Sequence, residues 1–135
     1  MSEAVSDGVK EPSETNTPEP GDDLVGAARR RVIEAPDDVE ARLQLARLFM
    51  ERGDAELALE QIDAALEREP ENVELLVERG IALTGAARLV DAERELRKAQ
   101  RLDPERGRVY MQLGRILFKR GLYRQAEVEL RRAIE

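Results

Sequence analysis

Apolar residues recur along this chain at helical spacing, in seven blocks separated by short polar breaks. In residues 22–35, Leu24, Val25, Ala28, Val32 and Ala35 fall on one face. The same reading predicts paired helices over 39–52 and 55–68, over 73–86 and 89–102, and over 107–120 and 123–135. Gly53 and Gly121 break the first and third pairs, supplying the left-handed residue that ends a helix. In the middle pair Ala87 stands at that place and Gly85 lies two residues earlier, so an earlier or less regular helix end is expected there. Asp22 or Asp23 is expected to cap the first helix. Asp37 with Glu40, and Glu71 with Glu74, have the spacing of capping boxes.

Pro36, Pro70 and Pro104 lie just outside helix ends, where a fixed φ and a missing N–H stop continuation. They are 34 residues apart, and small residues keep the same step: Ala58, Ala92 and Ala126, then Ala65, Ala99 and Ala133. The chain therefore reads as a stack of one repeated unit. Residues 22–35 stand before Pro36 as 58–69 stand before Pro70, so they read as the second helix of a half repeat capping the first full one.

Counted from Val39, Val73 and Gly107, the small eighth position is Ala46, Gly80 and Gly114, and the large eleventh is Phe49, Leu83 and Leu117. The twenty-fourth is Ile62, Leu96 and Leu130. With the small twentieth and twenty-seventh positions and the prolines, this register resembles the tetratricopeptide repeat (TPR), a 34-residue helix–turn–helix unit. Arg42 and Arg79 depart from it at the usual bulky fourth and seventh positions, where an aliphatic stem can cover the core while the head stays in water. The resemblance implies an all-α fold, a right-handed α-solenoid of three TPR-type helix hairpins with an N-terminal extra helix and a disordered acidic tail. Its parts would be the tail at 1–21 and a TPR domain at 22–135, comprising the extra helix at 22–35 and repeats at 39–72, 73–106 and, truncated, 107–135.

Composition narrows the chemistry. Residues 1–21 are poor in apolar side chains and rich in Glu, Ser, Thr and Pro, which argues for disorder. No apolar run is long enough for a transmembrane helix, and the acidic N-terminus lacks a signal-type apolar stretch, so a cytoplasmic location is the default expectation. From residue 21 onward there is no Ser, Cys or His, and Thr84 is the one Thr. The usual nucleophiles, general base, and nitrogen or sulfur metal ligands are thus missing, and no glycine cluster forms a phosphate loop. A non-enzymatic role without cofactor or metal is expected. An Arg-to-Lys ratio of 19 to three is the compositional habit of a GC-rich bacterial genome.

The net charge of −7 hides a gradient, with −6 in residues 1–23 and +6 in residues 94–135. Arg106 and Arg108 stand in the first turn of their helix, where the macrodipole disfavours cations, and Arg115 and Lys119 continue from Arg108 along one face.

In the resembled family the first helices line a concave groove. Its fifth, ninth and twelfth positions are Leu43, Arg47 and Met50, then Val77, Ile81 and Thr84, then Met111, Arg115 and Phe118. The apolar members are expected to form an exposed stripe, and such a stripe marks a binding surface for a peptide or helix. The expected partner-binding set is Leu43, Arg47, Met50, Val77, Ile81, Arg108, Met111, Arg115, Phe118 and Lys119, with the basic members placed to clamp an acidic side chain or a terminal carboxylate. The carboxylate clamp of chaperone-binding relatives is not reproduced, since Leu43, Arg47, Glu78, Arg108 and Gln112 hold its positions and only Arg108 fits by charge.

The leading expectation is a protein–protein interaction scaffold. One alternative is nucleic-acid or acidic-ligand binding through the basic C-terminal end, although net charge and the absence of an aromatic platform weigh against nucleic acid. The other is self-association through the last helix, whose Tyr123, Ala126, Leu130, Ala133 and Ile134 have no following repeat to cover them.

Overall fold

The computed structural model describes residues 22–135, so the tail expected at 1–21 lies outside the described residues. The described chain is seven α-helices: α1 Asp22–Glu34, α2 Val39–Glu51, α3 Ala55–Arg68, α4 Val73–Gly85, α5 Leu89–Leu102, α6 Gly107–Lys119 and α7 Tyr123–Ala133. No strand occurs among the described residues, and none of these helices is long and apolar enough to cross a membrane.

The helices start where expected, but the capping residues differ from expectation by one position. The caps are Asp38, whose carboxylate accepts from the Ala41 amide at 3.2 Å, and Asn72, whose side-chain oxygen accepts from the Leu75 amide at 3.2 Å. Both have extended backbone immediately before the first helical residue, the geometry a cap requires. Asp37 and Glu71 stand one residue too early for it. Asp22 and Asp23 begin α1 rather than preceding it.

The middle turn is a second correction. α4 ends at Gly85, in register with Glu51 and Lys119, and is neither shorter nor irregular. Ala87 adopts a φ of 63°, matching Gly53 at 82° and Gly121 at 81°. Packing of α4 against α5 thus outweighs the steric cost of a left-handed alanine.

Each helix packs on its neighbour in sequence. The backbones of the first helices also approach one another, α2 with α4 and α4 with α6, whereas those of the second helices α3, α5 and α7 stay further apart, α5 and α7 meeting through side chains. A stack closer on one side than the other must curve, so the described chain is an α-solenoid whose inner face runs along α2, α4 and α6. α1 packs only on α2, as an extra helix at one end.

Close approach within a pair depends on the eighth position. A Cβ on Gly80 would lie 2.8 Å from Leu96 Cγ, and one on Gly114 only 2.4 Å from Leu130 Cγ. The large twenty-fourth residue of the second helix therefore sits in the space that glycine leaves. Leu45, Ile62, Leu76, Leu83, Leu96, Leu113 and Leu117 are fully buried between the helices. Each such side chain contributes about 1.5–3 kcal/mol of transfer free energy.

The arginines at unusual core positions do more than cover apolar surface. Arg42 donates to the Pro36 carbonyl at 2.8 Å and to Gln61 at 2.9 Å. Arg79 ties together the two second helices flanking it, through Asp63 on α3 at 2.7 Å and Glu95 on α5 at 2.9 Å. Burial would lower the Arg79 pKa. The Asp63 hydrogen bond and the surrounding carboxylates outweigh it and raise the pKa above the ordinary guanidinium value.

Candidate partner-binding groove

The inner face divides into a closed part and an open part. On α2 and α4 the expected apolar stripe is largely covered. Leu43 is buried against Ala65 and Leu75, and Val77 lies wholly inside the main core, so neither presents its side chain to a partner. The reason is the close side-by-side contact of α2 with α4 and of α4 with α6, which draws the fifth position into the seam between first helices. Met50 and Ile81 are half-buried against the core. Thr84 turns its hydroxyl back to the Gly80 carbonyl at 2.8 Å, the i−4 bond available to a helical threonine.

What faces the groove on α4 is acidic. Glu74 and Glu78, one turn apart, are clasped by arginines from both neighbouring repeats. Arg47 on α2 bonds Glu74 at 2.9 Å and Glu78 at 3.2 Å. Arg108 on α6 bonds Glu78 at 2.8 Å and also contacts Glu74. Arg106 reaches Glu74 at 3.1 Å and Asp103 at 3.0 Å. Glu78 is only 4% exposed, and these hydrogen-bonded ion pairs offset the cost of burying it. Burial would lower the Arg108 pKa. The hydrogen bond and charge of Glu78, with those of Glu74, outweigh it and raise the pKa.

This cluster accounts for the basic residues at the start of α6. Arg106 and Arg108 oppose the helix dipole, and carboxylates from the preceding repeat neutralise them. They are therefore engaged within the chain, which corrects the expectation that Arg108 stands ready as a clamp. Sequence reasoning missed Glu74 and Glu78 because it followed the apolar groove positions. The signal was present in the register, since Arg108 stands one whole repeat after Glu74 and the two acids are the second and sixth residues of their repeat.

The open part lies on α6. Met111 is 42% exposed and Phe118 60%. Arg115 and Lys119 share their face of the helix, are exposed, and form no ion pair among the described residues. Phe118 meets the Tyr123 ring edge-on at 5.1 Å between centroids, so it is held in place while still exposed. Of the ten expected residues, the structure thus brings Met111, Arg115, Phe118 and Lys119 together on one accessible surface. Arg47 and Arg108 belong to the ion cluster, Met50 and Ile81 are half-buried against the core, and Leu43 and Val77 are core.

The tetratricopeptide-repeat family matches residues 23–72, 43–107 and 80–135, which together cover nearly all of the described chain. No curated protein matches the sequence. Among solved structures, a crystal structure of MamA superposes with a TM-score of 0.72 at 21% identity, covering 82% of this chain and 64% of MamA. The fragment of MamA from residue 41 to the end, from Desulfovibrio magneticus RS-1, gives a TM-score of 0.74 at 19% identity, covering 82% and 62%. MamA AMB-1 gives 0.67 at 22% identity, covering 81% and 64%. The chain thus spans less than two thirds of the length of these proteins, and at such identities the likeness is one of fold. Repeat register, paired-helix stacking and family match lead to one conclusion: the chain belongs to the tetratricopeptide-repeat family, whose repeats support a protein-interaction scaffold in general.

Proposed function

We propose that this chain binds a peptide or helix of a partner protein on the α6 part of its concave face. One observation carries the reading: Met111 and Phe118 are exposed beside Arg115 and Lys119, two cations without carboxylate partners among the described residues. The complementary ligand carries an apolar or aromatic anchor for Met111 and Phe118, with acidic residues one helical turn away. The Glu74 and Glu78 cluster would form the rigid floor beside it, since its charges already satisfy one another.

Selection of binding peptides from a random displayed library, with the purified chain as bait, tests the reading. The expected outcome is enrichment of peptides combining an apolar anchor with Asp or Glu. Binding should weaken at least tenfold with Met111→Glu or Phe118→Glu, and it should become less salt-sensitive with Arg115→Gln. Replacing Ile33, exposed on α1 at the other end of the stack, with Glu should change nothing. Peptides whose affinity ignores the α6 substitutions would overturn the assignment. A second surface, the outer face of α7, favours self-association, and it adjoins this groove at Phe118.

A further inference from the structure

The outer face of α7 has counterparts at the inner junctions. Leu130 is 39% exposed, whereas Ile62 and Leu96 at the same repeat position are 0% exposed, covered by the next repeat. With Tyr123, Ala126 and Ile134 it lines an open, mainly apolar depression of about 340 Å³. An apolar face alone does not say what covers it. The charges on the face do.

One repeat earlier, Glu93 and Arg97 occupy the places of Glu127 and Arg131. They form the same i,i+4 pair along their helix, and each also finds an opposite charge in the next repeat. Glu93 meets Arg120, and Arg97 meets Glu129 at 3.0 Å. Glu93 and Arg97 have side-chain exposures of 18% and 30%, against 61% and 72% for Glu127 and Arg131. At the inner junction, then, the incoming surface brings an arginine for the glutamate and a glutamate for the arginine. An element that seats on α7 must offer the same two charges beside apolar contacts. Residues 1–21 carry five acids against Lys10 alone, a poorer match to a face bearing one acid and one base than a surface with balanced charges.

We infer that α7 pairs with α7 of a second copy in antiparallel, two-fold symmetric fashion. Antiparallel pairing sets Tyr123 against Ile134 of the other copy and brings Glu127 of each copy to Arg131 of the other. The face is thus self-complementary in charge as well as in apolar contact, as an isologous interface requires. One helix per copy lies at the small end of interface sizes, so the dimer dissociates on dilution.

The test is sedimentation velocity of the full chain over a wide concentration range. A shift from about 15 kDa to about 30 kDa is expected as concentration rises, from the 15.2 kDa chain mass. Ile134→Glu, at a side chain 87% exposed, should raise the dissociation constant at least tenfold while circular dichroism stays unchanged. The charge variants are more specific. Glu127→Arg alone and Arg131→Glu alone each set like charges across the axis, and each should be monomeric where the parent is dimeric. An equimolar mixture of the two variants should dimerise again, because each then faces its complement. A monomer at every concentration, a dimer indifferent to Ile134→Glu, or single-charge variants that fail to recover on mixing would each overturn the inference.

Discussion

Gly80 and Gly114 do the same job in consecutive repeats, yet they are set in different surroundings. Each leaves room for the large residue of its partner helix, and at Gly114 the fit is tighter. But Leu96 is sealed beneath α6, whereas none of the described residues lies over Leu130. A repeat array is stabilised by intrinsic repeat energies and by interfaces between neighbours. The last repeat has one interface where the middle repeat has two. The same glycine–leucine contact should therefore count for more in the interior of the stack than at its end.

The largest test of that difference is truncation of the leucines. Leu96→Ala should destabilise the full chain by about 3–4 kcal/mol, in the range for a fully enclosed leucine that leaves a cavity. Leu130→Ala should cost roughly 1–2 kcal/mol, because its site is already open to water. Urea unfolding followed by circular dichroism reads both. Equal costs would mean that α7 is covered in solution, and the concentration dependence of the Leu130→Ala effect would then show whether a second copy covers it.

Insertion of a methyl group is a smaller perturbation of the same contacts. Gly80→Ala must push aside a leucine held on all sides, at about 1–3 kcal/mol for overpacking. Alanine returns up to about 1 kcal/mol of helix propensity, leaving a net loss of about 1–2 kcal/mol. Gly114→Ala forces a closer clash, yet Leu130 can swing towards solvent, so propensity and strain should nearly cancel. The ranking of the two variants is thus the reverse of that given by the contact distances alone. A Gly114→Ala variant less stable than Gly80→Ala would show that α7 is as firmly held as α5.

The sequence made the helix count and the pairing legible, because both follow from one period imposed on steric size, whereas the contact of Gly80 and Gly114 with Leu96 and Leu130 emerges only from the packed structure. Ala46, Gly80 and Gly114 announce close packing, and Phe49, Leu83 and Leu117 announce what fills the space around it. The groove was only partly legible. Register places Leu43 and Val77 on the inner face, but whether a fifth-position side chain is open or enclosed depends on how tightly adjacent first helices approach, and that distance is a tertiary quantity. The pairing of Arg47 and Arg108 with Glu74 and Glu78 is likewise a relation among three repeats. It becomes visible only when charges are compared across the 34-residue step rather than within one helix. The caps were missed by one residue because Asp37 and Asp38 are adjacent acids, and only backbone geometry chooses between them.

The smallest effect concerns the three turns, which are alike in backbone and unlike in sequence. Ala87 has a positive φ where its counterparts are Gly53 and Gly121. A left-handed conformation costs an alanine about 1–2 kcal/mol relative to its usual regions. Glycine removes that strain, but it adds unfolded-state entropy that takes back about 0.4–1 kcal/mol. Ala87→Gly should therefore stabilise the chain by about 0.5–1 kcal/mol, seen as a rise of roughly 2–5 °C in Tm. The reciprocal variants Gly53→Ala and Gly121→Ala should lose a similar amount. A Cβ at either site would meet nothing within 4 Å, so their cost is backbone strain without any packing contribution. Opposite signs of similar size would establish that the middle turn has the same conformation as its neighbours and is held there by the packing of α4 on α5. If Ala87→Gly gains nothing while Gly53→Ala still loses, the middle turn relaxes in solution, and the stack carries a weak joint between α4 and α5 that the other two pairs lack.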